Sequence, residues 1–284
     1  MIGSKELESE KETMATMVEL TSAFEGIASA HIAQIREQVL MSHQFFADLW
    51  RIYSQLRVDG LFRFGRDDKT GLGTVKKELM ILITSEGSFS GDIDQRLVGE
   101  VAKVYNSALN DVLIIGHHGA ILLGQKGIPI IRSFKTPEHD LNINTMPIVS
   151  EVQKYNSTVV YYQRYNSLMS QSIESIHLSR VVMEMGNTVS AGQEVINEKT
   201  YIFEPNTYAV VSHLERSMMQ ISLSEVILES KLAQYASRFK AMSLAKDRAQ
   251  DTLGDVSLMF NRAKRHEKDE RLKEVLNGLR KAAT

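Results

Sequence analysis

The sequence predicts an α/β domain inserted between two long helices that pair as an antiparallel coiled coil. Three observations carry this. First, helix breakers are unevenly spread: neither glycine nor proline occurs between Gly26 and Gly60, and Pro205 alone interrupts the stretch from Gly192 to Gly254. Both chain ends therefore read as long helices. Second, both ends carry apolar residues at alternating steps of four and three, the 3.5-residue spacing of a coiled-coil seam. Third, the centre alternates compact apolar runs with helical stretches, the pattern of a parallel, doubly wound sheet.

The last helix, expected over residues 207–284, has the clearer seam. Its steps fall on Tyr235, Phe239, Met242, Lys246, Ala249, Leu253, Val256, Phe260 and Ala263, with Lys246 as the one polar member. The next step lands on Glu267, where the seam is expected to stop. In the first helix, expected over residues 1–58, Met17, Leu20, Phe24 and Ile27 share one such spacing. After a register shift, Ile35, Val39, Phe46, Leu49, Tyr53 and Leu56 share another. At 1.5 Å per residue these helices run to ~70 and ~110 Å. A 100-residue domain is only ~26 Å across, so both must project from it, and pairing with each other buries both seams.

Between them, ELMILITSE (Glu78–Glu86), DVLIIG and IPIIRSF read as three buried strands, separated by helical DQRLVGEVAKVYNSAL and GAILLGQ. TVVYYQRYNS and LMSQSIESIHL read as an antiparallel hairpin added at the sheet edge. The centre is thus a five-stranded Rossmann-like α/β domain over residues 74–178, and residues 179–205 connect it to the last helix.

Composition narrows the function. With 33 basic against 35 acidic residues and a net charge of −2, the chain lacks the cationic surplus a generic nucleic-acid binder needs. The absence of cysteine removes disulfides, thiolate metal sites and cysteine nucleophiles. No run approaches the ~18 apolar residues of a membrane span, and the polar start MIGSKELESEKET is not a secretory signal. The turn TSEGSFSGD after the first strand lies where doubly wound folds bind ligands. It lacks G-x-G-x-x-G, however, and reads as a tight turn with Asp92 or Asp94 near a helix start. His117 and His118 are adjacent and so face different ways, which makes them poor joint ligands. Glu138, His139 and Asp140 fall in a polar loop. Neither a P-loop nor a G-x-S-x-G elbow is present, so no active site and no cofactor are expected. Charge is instead polarised between the ends: residues 231–284 hold 13 basic and 7 acidic side chains, residues 1–58 hold 5 and 8. Antiparallel helices of opposite charge attract across their flanks.

The order of elements resembles the gamma subunit of F-type ATP synthases. IFEPN before the last helix, the stretch from Glu225 to Gln250, LMFNRAKR (Leu258–Arg265), the turn LITSEGSFSGDID, YQRYNSLMSQ and LTSAFEGIASAHIAQIRE each resemble a segment of that family. Departures are specific: the family's first helix is basic where this chain has Ser22 and Ala30, and its first-strand turn is altered by Glu86 and Ser88. The resemblance implies a non-catalytic rotor shaft, coupling rotation driven by proton flow to ATP synthesis or hydrolysis on partner subunits. It implies three partners: an alpha- and beta-type catalytic hexamer, an epsilon-type subunit and a membrane c-type ring. It also implies a peripheral place on the cytoplasmic face of a bacterial plasma membrane. Contacts with the catalytic subunits would fall on Arg262, Lys264 and Arg265, and on Phe24 from the first helix. Two alternatives stand beside it: a rotor of a related motor uncoupled from protons, and a structural coiled-coil scaffold. A free α/β enzyme would need a strand-end motif that the sequence does not contain.

Overall fold

The computed structural model of the chain describes residues 4–55, 75–178 without 88 and 138–142, then 202, 204 and 206–282; of residues 40–55 it describes the backbone path alone. Phe46, Leu49, Tyr53 and Leu56, the loop of Glu138, His139 and Asp140, and most of the 179–205 connection lie outside the described residues or side chains.

Among the described residues ten elements follow in order: α1 (Ser4–Gln55), β1 (Val75–Ile83), α2 (Ile93–Val104), β2 (Asn110–Ile115), α3 (His117–Gln125), β3 (Ile130–Phe134), α4 (Met146–Val152), β4 (Tyr155–Tyr165), β5 (Gln171–His177) and α5 (Thr207–Ala282). The strands form one sheet of order β3-β2-β1-β4-β5. β1 is central, pairing in parallel with β2 through Leu82 and Ile114 and with β4 through Leu82 and Tyr161. β5 returns antiparallel on β4, with Tyr162 opposite Glu174. The three parallel strands and the edge hairpin expected from the sequence are all present.

Strand alternation splits the core into two layers, because successive side chains point to opposite faces. Leu79, Ile81, Ile83, Leu113, Ile115 and Val160 face α4 and the first half of α5, where Ile148, Val149, Leu223, Val226 and Ile227 cover them. Met80, Leu82, Val112 and Ile114 face the other way, onto Leu97, Val98 and Val101 of α2 and Leu123 of α3. Both faces of β1 and β2 are covered, which is why those strands read as unbroken apolar runs.

The start of α3 approaches the end of β1 at backbone distance. Gly116 has φ 104°, and a Cβ there would lie 2.1 Å from the Thr84 carbonyl oxygen. A Cβ on Gly119 would lie 2.4 Å from Thr84 Cγ2. Only glycine fits at both places. The Gly119 amide uses the closeness by donating to Thr84 Oγ1 at 3.2 Å.

Contacts divide the chain into two compact units, residues 1–28 with 239–284, and residues 29–238. The first is an antiparallel pair of helical segments. Along α5 the seam lies as expected, with all nine positions from Tyr235 to Ala263 buried or half-buried. Along α1 the expectation is corrected. Met17, Leu20, Phe24 and Ile27 are 50%, 53%, 38% and 53% exposed. The covered line runs one residue later in each case, through Leu7, Lys11, Met14, Val18, Thr21, Glu25 and Ala28, and continues on the same helix as Ile32, Ile35 and Val39. This line alternates four and three without a break, so no register shift is required. Its polar members explain the displacement: Lys11 covers apolar surface with its methylene stem, and Glu25 has a charged partner across the seam.

Candidate partner-contact site

Three contacts set the register of the helical arm. Ser4 Oγ donates to Glu267 Oε2 at 2.9 Å. Lys11 Nζ lies 5.5 Å from the centre of the Phe260 ring. Lys246 Nζ donates to the Glu25 carboxylate. From Ser4 to Lys11 to Glu25 is one heptad and then two, and from Glu267 to Phe260 to Lys246 is the same in reverse. The arm is therefore an antiparallel coiled coil in a single register. Glu267, expected to end the seam, closes it with a hydrogen bond.

The Lys246 hydrogen bond holds the Glu25 carboxyl below its usual range, against the opposing effect of burial, and Glu25 pushes the Lys246 ammonium up. Both groups are therefore charged at neutral pH, and this ionic layer of the seam is satisfied.

Arg262, Lys264 and Arg265 are all exposed, around the half-buried Ala263. At 3.6 residues per turn, Arg265 points away from the seam and the other two lie on its flanks. Lys264 Nζ also lies 5.1 Å from the Phe260 ring centre, so two ammonium groups, Lys11 and Lys264, bracket one aromatic ring. Phe24 does not join this cluster. It lies thirteen residues along α1 from Lys11, about 20 Å away along the helix axis. The arm thus presents two stations: a cationic collar near Phe260, and an exposed stripe of Met17, Leu20, Phe24 and Ile27. Beyond the collar, Leu272, Val275, Leu276 and Leu279 form a third exposed feature, 53–64% accessible, at helical spacing along the end of α5.

The strand ends of the α/β unit carry polar groups, but they are turned inward. Asp94 is fully buried and accepts from Ser85 Oγ at 2.5 Å and from Gln163 Nε2 at 2.9 Å. His118 Nδ1 lies 2.8 Å from Asp94 Oδ2, the oxygen that also accepts from Ser85. Gln163 Oε1 in turn accepts from Ser230 Oγ at 2.5 Å, and Gln234 Nε2 donates to Ser230 Oγ at 3.0 Å. Asp94 is thus a tie between the turn after β1, β4 and α5. His117, its neighbour's opposite, faces solvent, as adjacent helical residues must. The sequence placed Asp94 at a helix start and gave no sign of this network, because its members are spread over five segments. Among the described residues no group of three or more His, Asp or Glu is placed to hold a metal.

A family model described as ATP synthase matches residues 4–280, which spans both units and the whole arm. The chain belongs to the ATP synthase family. Within the ATP synthase family it is similar to the gamma chains of Leuconostoc citreum, 22% identical over 92% of this chain and 93% of that one, and of Chloroherpeton thalassium, 23% identical over 96% of each. In structure it is similar to a chain of the Euglena gracilis mitochondrial ATP synthase assembly of OSCP, F1 and c-ring. That match has a TM-score of 0.65 at 14% identity and covers 98% of this chain and 94% of the other. A chain of the Tetrahymena thermophila central stalk and c-ring is similar at a TM-score of 0.56 and 18% identity, covering 80% of this chain and 99% of that one. The family's fold, an antiparallel arm joined to a five-stranded mixed sheet, is the one found in this chain.

Proposed function

We propose that the chain is the central stalk of a rotary ATP synthase: a non-catalytic shaft that couples rotation to ATP synthesis or hydrolysis on partner subunits. The observation that carries this reading is the in-register arm, two helices held by contacts spaced in whole heptads along its length. A shaft transmits torque only if its strands do not slide. The two stations make the arm asymmetric around its axis, so each angle of rotation touches a surrounding ring differently. Such differential contact is what biases an interface between open and closed states.

In this reading the arm enters a hexamer of alpha- and beta-type subunits, with Arg262, Lys264, Arg265 and Phe24 as contacts. The α/β domain docks on an epsilon-type subunit and the membrane c-type ring, with residues 1–58 and 207–284 as the helices and 74–178 as the domain. The chain is peripheral on the cytoplasmic face of a bacterial plasma membrane. Among the described residues no helix is long and apolar enough to cross a bilayer, which fits docking through partners.

The test is a tagged purification from gently solubilised membranes with mass spectrometry and an ATPase assay. Recovery of P-loop catalytic subunits with a membrane ring and ATP hydrolysis supports the reading. Catalytic subunits without ring or proton-channel components favour a motor uncoupled from protons. A lone chain without ATPase partners refutes it.

A further inference from the structure

The contacts of the arm define one register: Ser4 with Glu267, Lys11 with Phe260 and Glu25 with Lys246. Each heptad up α1 is matched by a heptad down α5, so Val18 falls opposite Leu253 between the last two layers. Much of the remaining seam is apolar on both helices: Leu7, Met14 and Ala28 on α1, Met242, Ala249, Val256 and Ala263 on α5. Such side chains do not by themselves choose a register, because sliding by a whole heptad sets apolar groups against apolar groups again. Nineteen residues, 56–74, join Gln55 to Val75. A chain of that length reaches well beyond the shift of about 10 Å that one heptad makes, so the link to the sheet does not forbid a slip.

Two slips of one heptad are the competitors. If α1 moves so that Lys11 faces Glu267, opposite charges meet there and Val18 packs on Phe260. The same slip sets the Glu25 carboxylate against Leu253 and takes Lys246 away from it. If α1 moves the other way, Lys11 faces Leu253, Glu25 faces Phe239 and Lys246 faces Val18. In either case Glu25 and Lys246 lose each other at seam positions, and separating a shielded pair is far costlier than replacing both members by apolar groups. With both charges gone, the slip that joins Lys11 to Glu267 has no unpaired charge left in the seam to oppose it.

We propose that Glu25 and Lys246 are the register lock of the arm, and that without them α1 populates the slip in which Lys11 faces Glu267. A single polar layer that fixes register among apolar ones is a known use of such residues in coiled coils. The functional meaning rests on the central-stalk reading. A slip of one heptad moves the collar of Arg262, Lys264 and Arg265 about 10 Å along the axis relative to α1, so this pair sets the heights at which the two helices of a shaft present their side chains.

The chain has no cysteine, so Ser9→Cys/Gln250→Cys, at two exposed positions, takes one spin label on each helix of the full chain. Along the axis the labelled positions are about 18 Å apart in the observed register and about 29 Å apart in the slip that joins Lys11 to Glu267. Double electron–electron resonance should give a single short distance when Glu25 and Lys246 are both present. Glu25→Leu/Lys246→Met should add a second population, longer by roughly 10 Å, with helicity by circular dichroism kept. Glu25→Lys/Lys246→Glu restores opposite charges in the same layer and should return the single short distance. One short distance in the apolar double variant overturns the proposal, as does a slipped population in the unaltered pair or in the charge-swapped variant. Loss of helicity in the apolar variant would mean that the pair holds the arm together rather than in register, and overturns it too. All these distances are read on the chain alone, so a chain that fails to purify with catalytic subunits sinks the central-stalk reading and leaves the lock standing.

Discussion

Lys246 and Glu25 face each other inside the seam, with side chains only 23% and 16% exposed. Removing one partner strands the other in a half-dry site, whereas removing both leaves an apolar layer. Lys246→Met alone is therefore expected to lower the melting temperature more than Glu25→Leu/Lys246→Met. Equal losses in the two variants would mean that the pair does not act as a unit.

The same pair fixes a pH dependence. The Glu25 carboxyl is depressed by Lys246, so its contribution is present above the ordinary carboxylate range and lost as pH falls through its lowered value. The Lys246 ammonium is raised by Glu25, so its contribution is present below the ordinary lysine range and lost as pH rises through its raised value. The stability gap between wild type and Glu25→Leu/Lys246→Met should be flat around neutrality and shrink at both extremes. Melting curves across pH test this, and a gap that stays constant into strong acid contradicts it.

Asp94 ties the turn after β1 to β4 and, through Gln163, to α5. Asp94→Ala leaves the Ser85, Gln163 and His118 groups without their acceptor in a buried place. The expected cost is on the order of 3 kcal/mol, read as faster hydrogen exchange across β1 and β4. Exchange unchanged from wild type would show that water replaces the carboxylate without penalty.

Glycines around α3 should separate by their surroundings. Gly119→Ala drives a methyl into Thr84 and Ile114, at a cost of about 1–3 kcal/mol for overpacking. Gly116→Ala adds a positive-φ penalty to a backbone clash and should cost more. Gly124→Ala meets nothing within 4 Å and should be neutral or stabilising in a helix interior. Chemical denaturation of the three variants ranks them, and a destabilised Gly124→Ala would refute the ranking.

What the sequence reveals here follows from how far apart the responsible residues lie. β1 and β2 are legible because Leu79–Ile83 and Val112–Ile115 are apolar on both faces and bounded by turn residues. The α5 seam is legible because eight of its nine positions are apolar. The α1 seam is not, since Lys11, Thr21 and Glu25 belong to it while a fully apolar row runs beside it. Stepping by hydrophobicity picks that exposed row instead of the covered one. α4 gives too little periodicity in seven residues to register. The Asp94 network needs the fold itself, as Ser85, His118, Gln163 and Ser230 are brought together by four different segments.

Charge reversal tests the collar. Arg262, Lys264 and Arg265 are exposed and carry no seam packing of their own, apart from the Lys264 ammonium over Phe260, which Lys11 also approaches. Lys264→Glu/Arg265→Glu should therefore leave the melting temperature within about 1 kcal/mol of stability, as surface changes do. In the assembled complex the effect should be on coupling instead: ATP hydrolysis persists while torque, or proton pumping in membrane vesicles, falls. Raising salt should weaken the wild-type contact and leave the reversed variant little changed, because screening acts on charges that attract. Single-molecule rotation under load reads the torque directly. Normal torque and coupling in the double variant would remove the collar from the contact and leave the apolar stripe as the arm's remaining station.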